Sequence, residues 1–213
     1  MNKNNRLVIL GGGFISNSIK NYFNEKGKKV LLIRKKRIDL SKFIETKELS
    51  KIIKKDDIIF FSAAFAPVKN KDMYNYNIKI AKNFSKIIKK INFSKMIYLS
   101  SDAVYSDTKK KINEKSQTKP NSFHGQMHLT RENIFKKKLG KKLTIVRPTL
   151  VYGPNDPHNG YGPNKFIREA KKGKYLKLFG KGEERRDHIY VNDLTLMIYQ
   201  IINKDLTGIY NLA

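Results

Sequence analysis

Residues 57–64 read DIIFFSAA, a strand-length run that is apolar throughout. A strand covered on one face alternates apolar and polar side chains, whereas a run without alternation belongs to a strand buried on both faces. Comparable runs are RLVIL at 6–10, KKVLLIR at 28–34, KMIYLSS at 95–101 and LTIVRP at 143–148. Stretches with helical patterning fall between them, at 15–27, 47–55, 73–91 and 124–138. Such alternation predicts an α/β fold with a parallel sheet and helices on both faces. The short segment IDL at 38–40 is read as one further strand.

After Pro148 the texture changes. TLVYGPNDPHNGYGPNKF is rich in proline, glycine and asparagine, as suits a ligand-binding loop region at strand ends. A helix at 163–173, a strand YLKLFG at 175–180, a helix after VNDL and a closing strand GIYNLA complete the prediction.

With 213 residues and 39% hydrophobic content the chain can bury a core of its own. It contains no cysteine, which excludes disulfides and thiolate metal sites and fits a reducing cytoplasm. The apolar start RLVILGGGFI is too short to cross a membrane and lacks a small-residue cleavage site, so it is read as a buried first strand. The net charge of +27 would suit a polyanion, but lysine is spread through nearly every segment without a nucleic-acid-binding signature. An anionic small substrate fits the charge as well, and nucleic acid is not the expected partner.

The turn LGGGFIS lies directly between the first strand and the first helix. Gly11 and Gly13, with Ser16 at the third position, fit a G-x-G-x-x-small pattern that Gly12, Phe14 and Ile15 complete. Glycine lets the chain turn tightly and brings backbone N–H groups against a pyrophosphate at a helix N-terminus. At the end of the second strand, where an acid would hold the ribose 2′-hydroxyl of NAD, stands Arg34, followed by Lys35, Lys36 and Arg37. A guanidinium suits a 2′-phosphate, so the expected cofactor is NAD or NADP.

Taken in order, these motifs resemble those of the extended short-chain dehydrogenase/reductases, and within them the NAD-dependent nucleotide-sugar epimerases and dehydratases. The resemblance covers nearly the whole chain. It rests on GGGFIS, DIIFFSAA, Asn77, YLSSDAVYSD, TIVRPTLVYGP, FGKGEERRDHIYVNDL and GIYNLA. It implies a Rossmann-type doubly wound parallel sheet over residues 1–150 and a small substrate-binding segment over 151–213. By the same resemblance, Asp39 and Leu40 lie by the adenine, Ala63 and Ala64 let the cofactor lie close to the strand end, and Asn77 sits near the cofactor. Ser101 falls at the residue that hydrogen-bonds the reacting sugar oxygen, although a strand-end serine is also a common turn cap. Arg186 matches an arginine that grips the substrate diphosphate, with Arg185 beside it and Asn164 at the same phosphates.

Departures from the family pattern concentrate in FHGQMH. The catalytic tyrosine and the lysine four residues later fall on His124 and His128. Pro120, Ser122, Gly125 and Glu132 around them still fit. The exchange is chemically coherent, because tyrosine needs a nearby cation to work near neutral pH and histidine does not. His124 would then exchange the sugar hydroxyl proton while His128 orients it or bonds the cofactor ribose. An imidazole reaches less far than a phenol, however, and a misplacement of about 1 Å can cost a hundredfold in rate. A His-x-x-x-His pair is also a metal-ligand spacing, but Glu132 lies a turn too far along to join one ion, so no metal is expected. Leu150 replaces a substrate-contacting asparagine, and family members continue beyond the YNLA strand. Two readings follow: hydride transfer at a sugar carbon of a nucleoside-diphosphate sugar, or a relative that binds nucleotide or nucleotide sugar without turnover. The resemblance also implies a homodimer through the helices at 73–91 and 124–138.

Overall fold

The structure, a computed structural model, describes residues 5–108, 111–157, 162–178, 180–183 and 185–213. Eight strands are present among these: β1 (Leu7–Leu10), β2 (Val30–Ile33), β3 (Ile58–Phe61), β4 (Lys95–Leu99), β5 (Leu143–Pro148), β6 (Leu150–Tyr152), β7 (His188–Tyr190) and β8 (Gly208–Leu212). Six of them form one sheet in the order β2-β1-β3-β4-β5-β8, and every pairing is parallel. The helices are α1 (Phe14–Glu25), α2 (Phe43–Lys47), α3 (Leu49–Ile52), α4 (Lys71–Ile87), α5 (Phe123–Leu139), α6 (Pro163–Ala170) and α7 (Val191–Asn203). This is a Rossmann-type α/β architecture. The chain leaves β1 for one edge and returns across it to β3, so a crevice opens at the carboxyl ends of those two strands.

The unbroken apolar runs follow from a sheet buried on both faces. Val8, Leu10, Ile59, Phe61, Met96 and Tyr98 point into one core, with Ile80, Ala81 and Phe84 of α4 and Phe135 of α5. Their neighbours Leu7, Ile9, Ile58, Phe60 and Ile97 point into the other, with Ile19 and Phe23 of α1 and Leu194 and Ile198 of α7. Helix starts are marked by side-chain caps: Asn70 accepts from the Met73 N–H at α4, and Ser122 from the Gly125 N–H at α5.

Four local expectations are corrected. IDL is not a strand: the Asp39 N–H donates to Glu45 and the Leu40 carbonyl accepts from Asn83, so side chains take the groups a ladder would use. Residues 47–55 do not form one helix; the helical turns begin earlier, at Phe43, and break between Lys47 and Leu49. The described part of YLKLFG, 175–178, is irregular, with Tyr175, Leu176 and Leu178 exposed and no strand beside them among the described residues. The helix placed after VNDL starts at Val191 and includes it. The loop-rich segment after Pro148 also conceals β6, which pairs with β7 in a separate two-stranded sheet. β8, from within 151–213, joins the main sheet beside β5.

Phe135 packs edge-on against Phe61 and Tyr98, each at a ring separation of 5.1 Å, and against Phe84 at 6.2 Å. Phe135→Ala is expected to lose about 3–5 kcal/mol of stability, read as a lowered midpoint in urea denaturation.

Candidate functional site

The glycine turn has the shape a dinucleotide needs. A Cβ on Gly11 would collide with the Ser62 hydroxyl, and Gly11 holds a φ of +141° that side-chain-bearing residues rarely adopt. A Cβ on Gly12 would lie 2.8 Å from Cγ of Arg34, whereas in front of Gly13 nothing lies within 4 Å. α1 starts at this open face without a side-chain cap, leaving its first N–H groups available. Behind the turn, Ser16 is buried and its hydroxyl bonds that of Ser62 at 2.8 Å, which seats α1 close on the end of β3. Phe14 and Ile15 are half-buried in the first turn of α1, and Ile15 packs against the core on that face. Arg34 lies across the turn, its Nη2 donating to Asn17 Oδ1 at 2.9 Å.

The neighbouring loops are held from behind. Asp39 accepts from the Ser41 N–H at 2.9 Å and faces Lys35 at 3.8 Å. Leu40, expected beside the adenine, turns its side chain into the core. Asn77, expected at the cofactor, has no exposed surface: its amide donates to the carbonyls of Phe65 and Met73, and its oxygen accepts from the Phe65 N–H. The Leu40 and Asn77 side chains are therefore committed within the protein. Ala63 and Ala64 follow β3 at the crevice, and the Ala63 carbonyl accepts from Arg131 Nη2 at 2.7 Å.

Ser101 follows β4, and its hydroxyl takes up the capping role the local sequence allowed. It accepts from the Ala103 N–H and donates to Asp102, both at 3.1 Å. The 3-10 turn it caps, Asp102–Val104, lies against the first turn of α5. Gly125 makes this approach possible, because a Cβ there would collide with the Ala103 carbonyl oxygen and with Pro120. Crowding pushes the Asp102 carboxyl above its ordinary value, opposed by the Ser101 hydroxyl, the Ala103 N–H and the charge of Arg186. Arg186 is thus close enough to be felt beside Ser101. Asn164 is buried at the start of α6, its amide given to the Gly153 carbonyl at 3.0 Å and to Asp156 at 2.7 Å. That leaves it holding the loop after β6.

The two histidines stack along α5, ring centroids 4.7 Å apart and nearly perpendicular. Nδ1 of His124 accepts from the Val68 N–H at a long 3.4 Å, so the neutral ring carries its proton on Nε2. Nδ1 of His128 lies 2.8 Å from the Tyr98 hydroxyl. Burial lowers both imidazoles, His128 well below its ordinary value, with His124 and Arg131 adding to the effect there.

From the sequence Glu132 is a flanking match and a candidate metal neighbour that lies too far along. It is the centre of a buried network. Its carboxylate accepts two hydrogen bonds from Arg147, at 2.9 and 2.7 Å, one from Ser100 at 2.7 Å and one from Lys136 at 3.2 Å. With its oxygens committed in this way, Glu132 is not placed to join the histidines at a metal. Arg147 passes the chain on to the Tyr105 hydroxyl at 2.6 Å, which donates to Asn211 of β8 at 2.9 Å. Arg131 and Tyr98 were also missed. Arg131 is fully buried, its guanidinium over the rings of Phe61 and Tyr98 at 5.1 and 5.4 Å. The signal available was its position three residues beyond His128, on the same helix face.

The model of the NAD-dependent epimerase/dehydratase family matches residues 7–213. The chain belongs to that family. An uncharacterized UDP-glucose epimerase of Bacillus subtilis is 25% identical over 189 residues, covering 84% of this chain and 59% of the relative. A dTDP-D-glucose 4,6-dehydratase of Dictyostelium discoideum is 24% identical, covering 98% of this chain and 58% of the relative. The chain thus spans about three fifths of the length of these curated relatives. Among solved structures, the UDP-glucose 4-epimerase of Thermus thermophilus in complex with NAD superposes with a TM-score of 0.82 at 21% identity, over 97% of this chain and 77% of that one. That likeness bears out the fold. No helix among the described residues is long and apolar enough to cross a membrane.

Two outcomes are expected. Arg147→Met leaves Glu132 buried with its main partner gone and should cost about 3–5 kcal/mol in chemical denaturation. The histidines, lowered in the folded chain, titrate near 6.5 when unfolded. Below that value the unfolded chain binds more protons than the folded one, so acid favours unfolding. The calorimetric midpoint should fall from about pH 7 to about pH 5, and fall less in His128→Asn. Glu132, also lowered from an ordinary value of 4.5, adds its loss only below that window.

Proposed function

We propose that this chain binds NAD or NADP at the Gly11–Gly13 turn and acts on a nucleoside-diphosphate sugar. When bound, the nicotinamide supplies hydride acceptance and return at a sugar carbon. His124 handles the proton at the reacting oxygen and Ser101 donates a hydrogen bond to that oxygen. Arg186, from the 151–213 segment, serves the diphosphate side, Asn164 supports that segment by holding the loop after β6, and Arg34 meets the ribose 2′ position. The observation that carries this reading is the close packing of the Asp102–Val104 turn on the first turn of α5, which Gly125 permits. It draws the Ser101 and His124 backbones together at the carboxyl ends of the strands, the end that also carries the glycine turn.

For His124 to take a proton at Nε2, the ring must first move its own proton to Nδ1 and give up the Val68 N–H. At 3.4 Å that contact is weak enough to be surrendered. Such a step lets a histidine work without the cation that a tyrosine needs.

The test is binding of NADH and NADPH by calorimetry, followed by turnover of UDP- and dTDP-sugars. Gly11→Val should abolish dinucleotide binding, since its side chain meets Ser62. Arg34→Glu should shift preference toward NADH by about tenfold or more. His124→Ala should lower kcat by about a hundredfold. Dinucleotide binding without turnover, indifferent to His124→Ala, would leave a binding relative in place of an enzyme.

A further inference from the structure

We propose that Tyr98 is a positioning residue that fixes His128 as the Nε2–H tautomer, so that His128 serves the site as a hydrogen-bond donor and not as a second base. The Tyr98 hydroxyl is fully buried, and among the described residues its hydrogen bond runs to His128 Nδ1, at 2.8 Å. Two proton arrangements fit that distance. If His128 donated from Nδ1, the phenolic proton would be buried with no acceptor, a loss of the kind folded proteins avoid. If Tyr98 donates, the buried phenolic proton has its acceptor and the imidazole proton sits on Nε2, the nitrogen left for the site.

The surroundings hold this arrangement in place. From α5, the Arg131 guanidinium packs over the Tyr98 ring at 5.4 Å and keeps a permanent positive charge near His128. Also from α5, the second imidazole stands 4.7 Å away at His124. From β4, burial raises the Tyr98 phenol above its ordinary value, so it stays a donor. Arg131 ties the same unit to the crevice by donating to the Ala63 carbonyl at 2.7 Å. In the cofactor reading above, the Nε2–H would meet an oxygen of the nicotinamide-side ribose. That link rests on the reading, and the tautomer does not.

Two-bond proton–nitrogen correlation spectra of histidine-labelled protein, without ligand, read the tautomer directly. The His128 signal is assigned by its loss in His128→Gln. The expected wild-type result is a single Nε2–H form with Nδ1 as acceptor, and in Tyr98→Phe a mixture of both tautomers with unchanged far-ultraviolet circular dichroism. An Nδ1–H form in the wild type overturns the proposal without need of any variant. An unchanged His128 signal in a folded Tyr98→Phe overturns the role of Tyr98. NADH and NADPH are then titrated into both proteins. Weaker binding by about tenfold in Tyr98→Phe supports the donor role, and equal binding overturns it. Failure of both proteins to bind either dinucleotide would sink the cofactor reading, while the spectra still decide the tautomer.

Discussion

Glu132 and Arg147 meet with almost no exposure, through paired hydrogen bonds at 2.9 and 2.7 Å. Charges buried this way are tolerable only when the remaining lone pairs and protons also find partners. Here they do. Ser100 at the end of β4 and Lys136 one turn along α5 complete the carboxylate, and Tyr105 completes the guanidinium. Tyr105 leads on to Asn211, whose backbone N–H donates to Glu114. One ion pair thereby joins α5, the ends of β4 and β5, the segment after β4, and β8. Ser101 follows Ser100 directly, and His124 lies two turns before Glu132, so both candidate groups are set by that frame.

On the same helix, His124 and His128 stand four residues apart in a buried setting that decides where charge resides. Burial lowers both imidazoles from their ordinary value, His128 the more, because it penalises their charged forms. The permanent positive charge beside them belongs to Arg131, one turn deeper and stacked between Phe61 and Tyr98. It clamps a backbone carbonyl at the crevice instead of facing it. Arg186 adds its charge at Asp102, next to Ser101.

The strands of the main sheet were legible because burial on both faces leaves a mark in every position of a strand, and the glycine turn because only a few residue types fit it. IDL and YLKLFG misled for the complementary reason. An apolar triplet or a lysine-spaced run carries no information about whether a partner strand lies alongside. β6 was hidden in a proline-rich segment because its partner, β7, lies some 36 residues further along at matched register, Val151 against Ile189 among them. Leu40, Asn77 and Asn164 all have side chains committed within the protein. Which way the Asn77 and Asn164 side chains face depends on Phe65 and Gly153, and the Leu40 backbone is held by Asn83, partners that no local pattern connects to them.

What the sequence determined by itself was the parallel sheet, the glycine turn after the first strand, and the presence of two histidines four residues apart on one helix. Those properties are written in residue type and near spacing. What only the tertiary structure decided was the state of the histidines. The hydroxyl against His128 belongs to Tyr98, 30 residues away, and the N–H against His124 to Val68, 56 residues away. A proton's position on an imidazole is set by the partner of each ring nitrogen, and folding alone brings those partners to it.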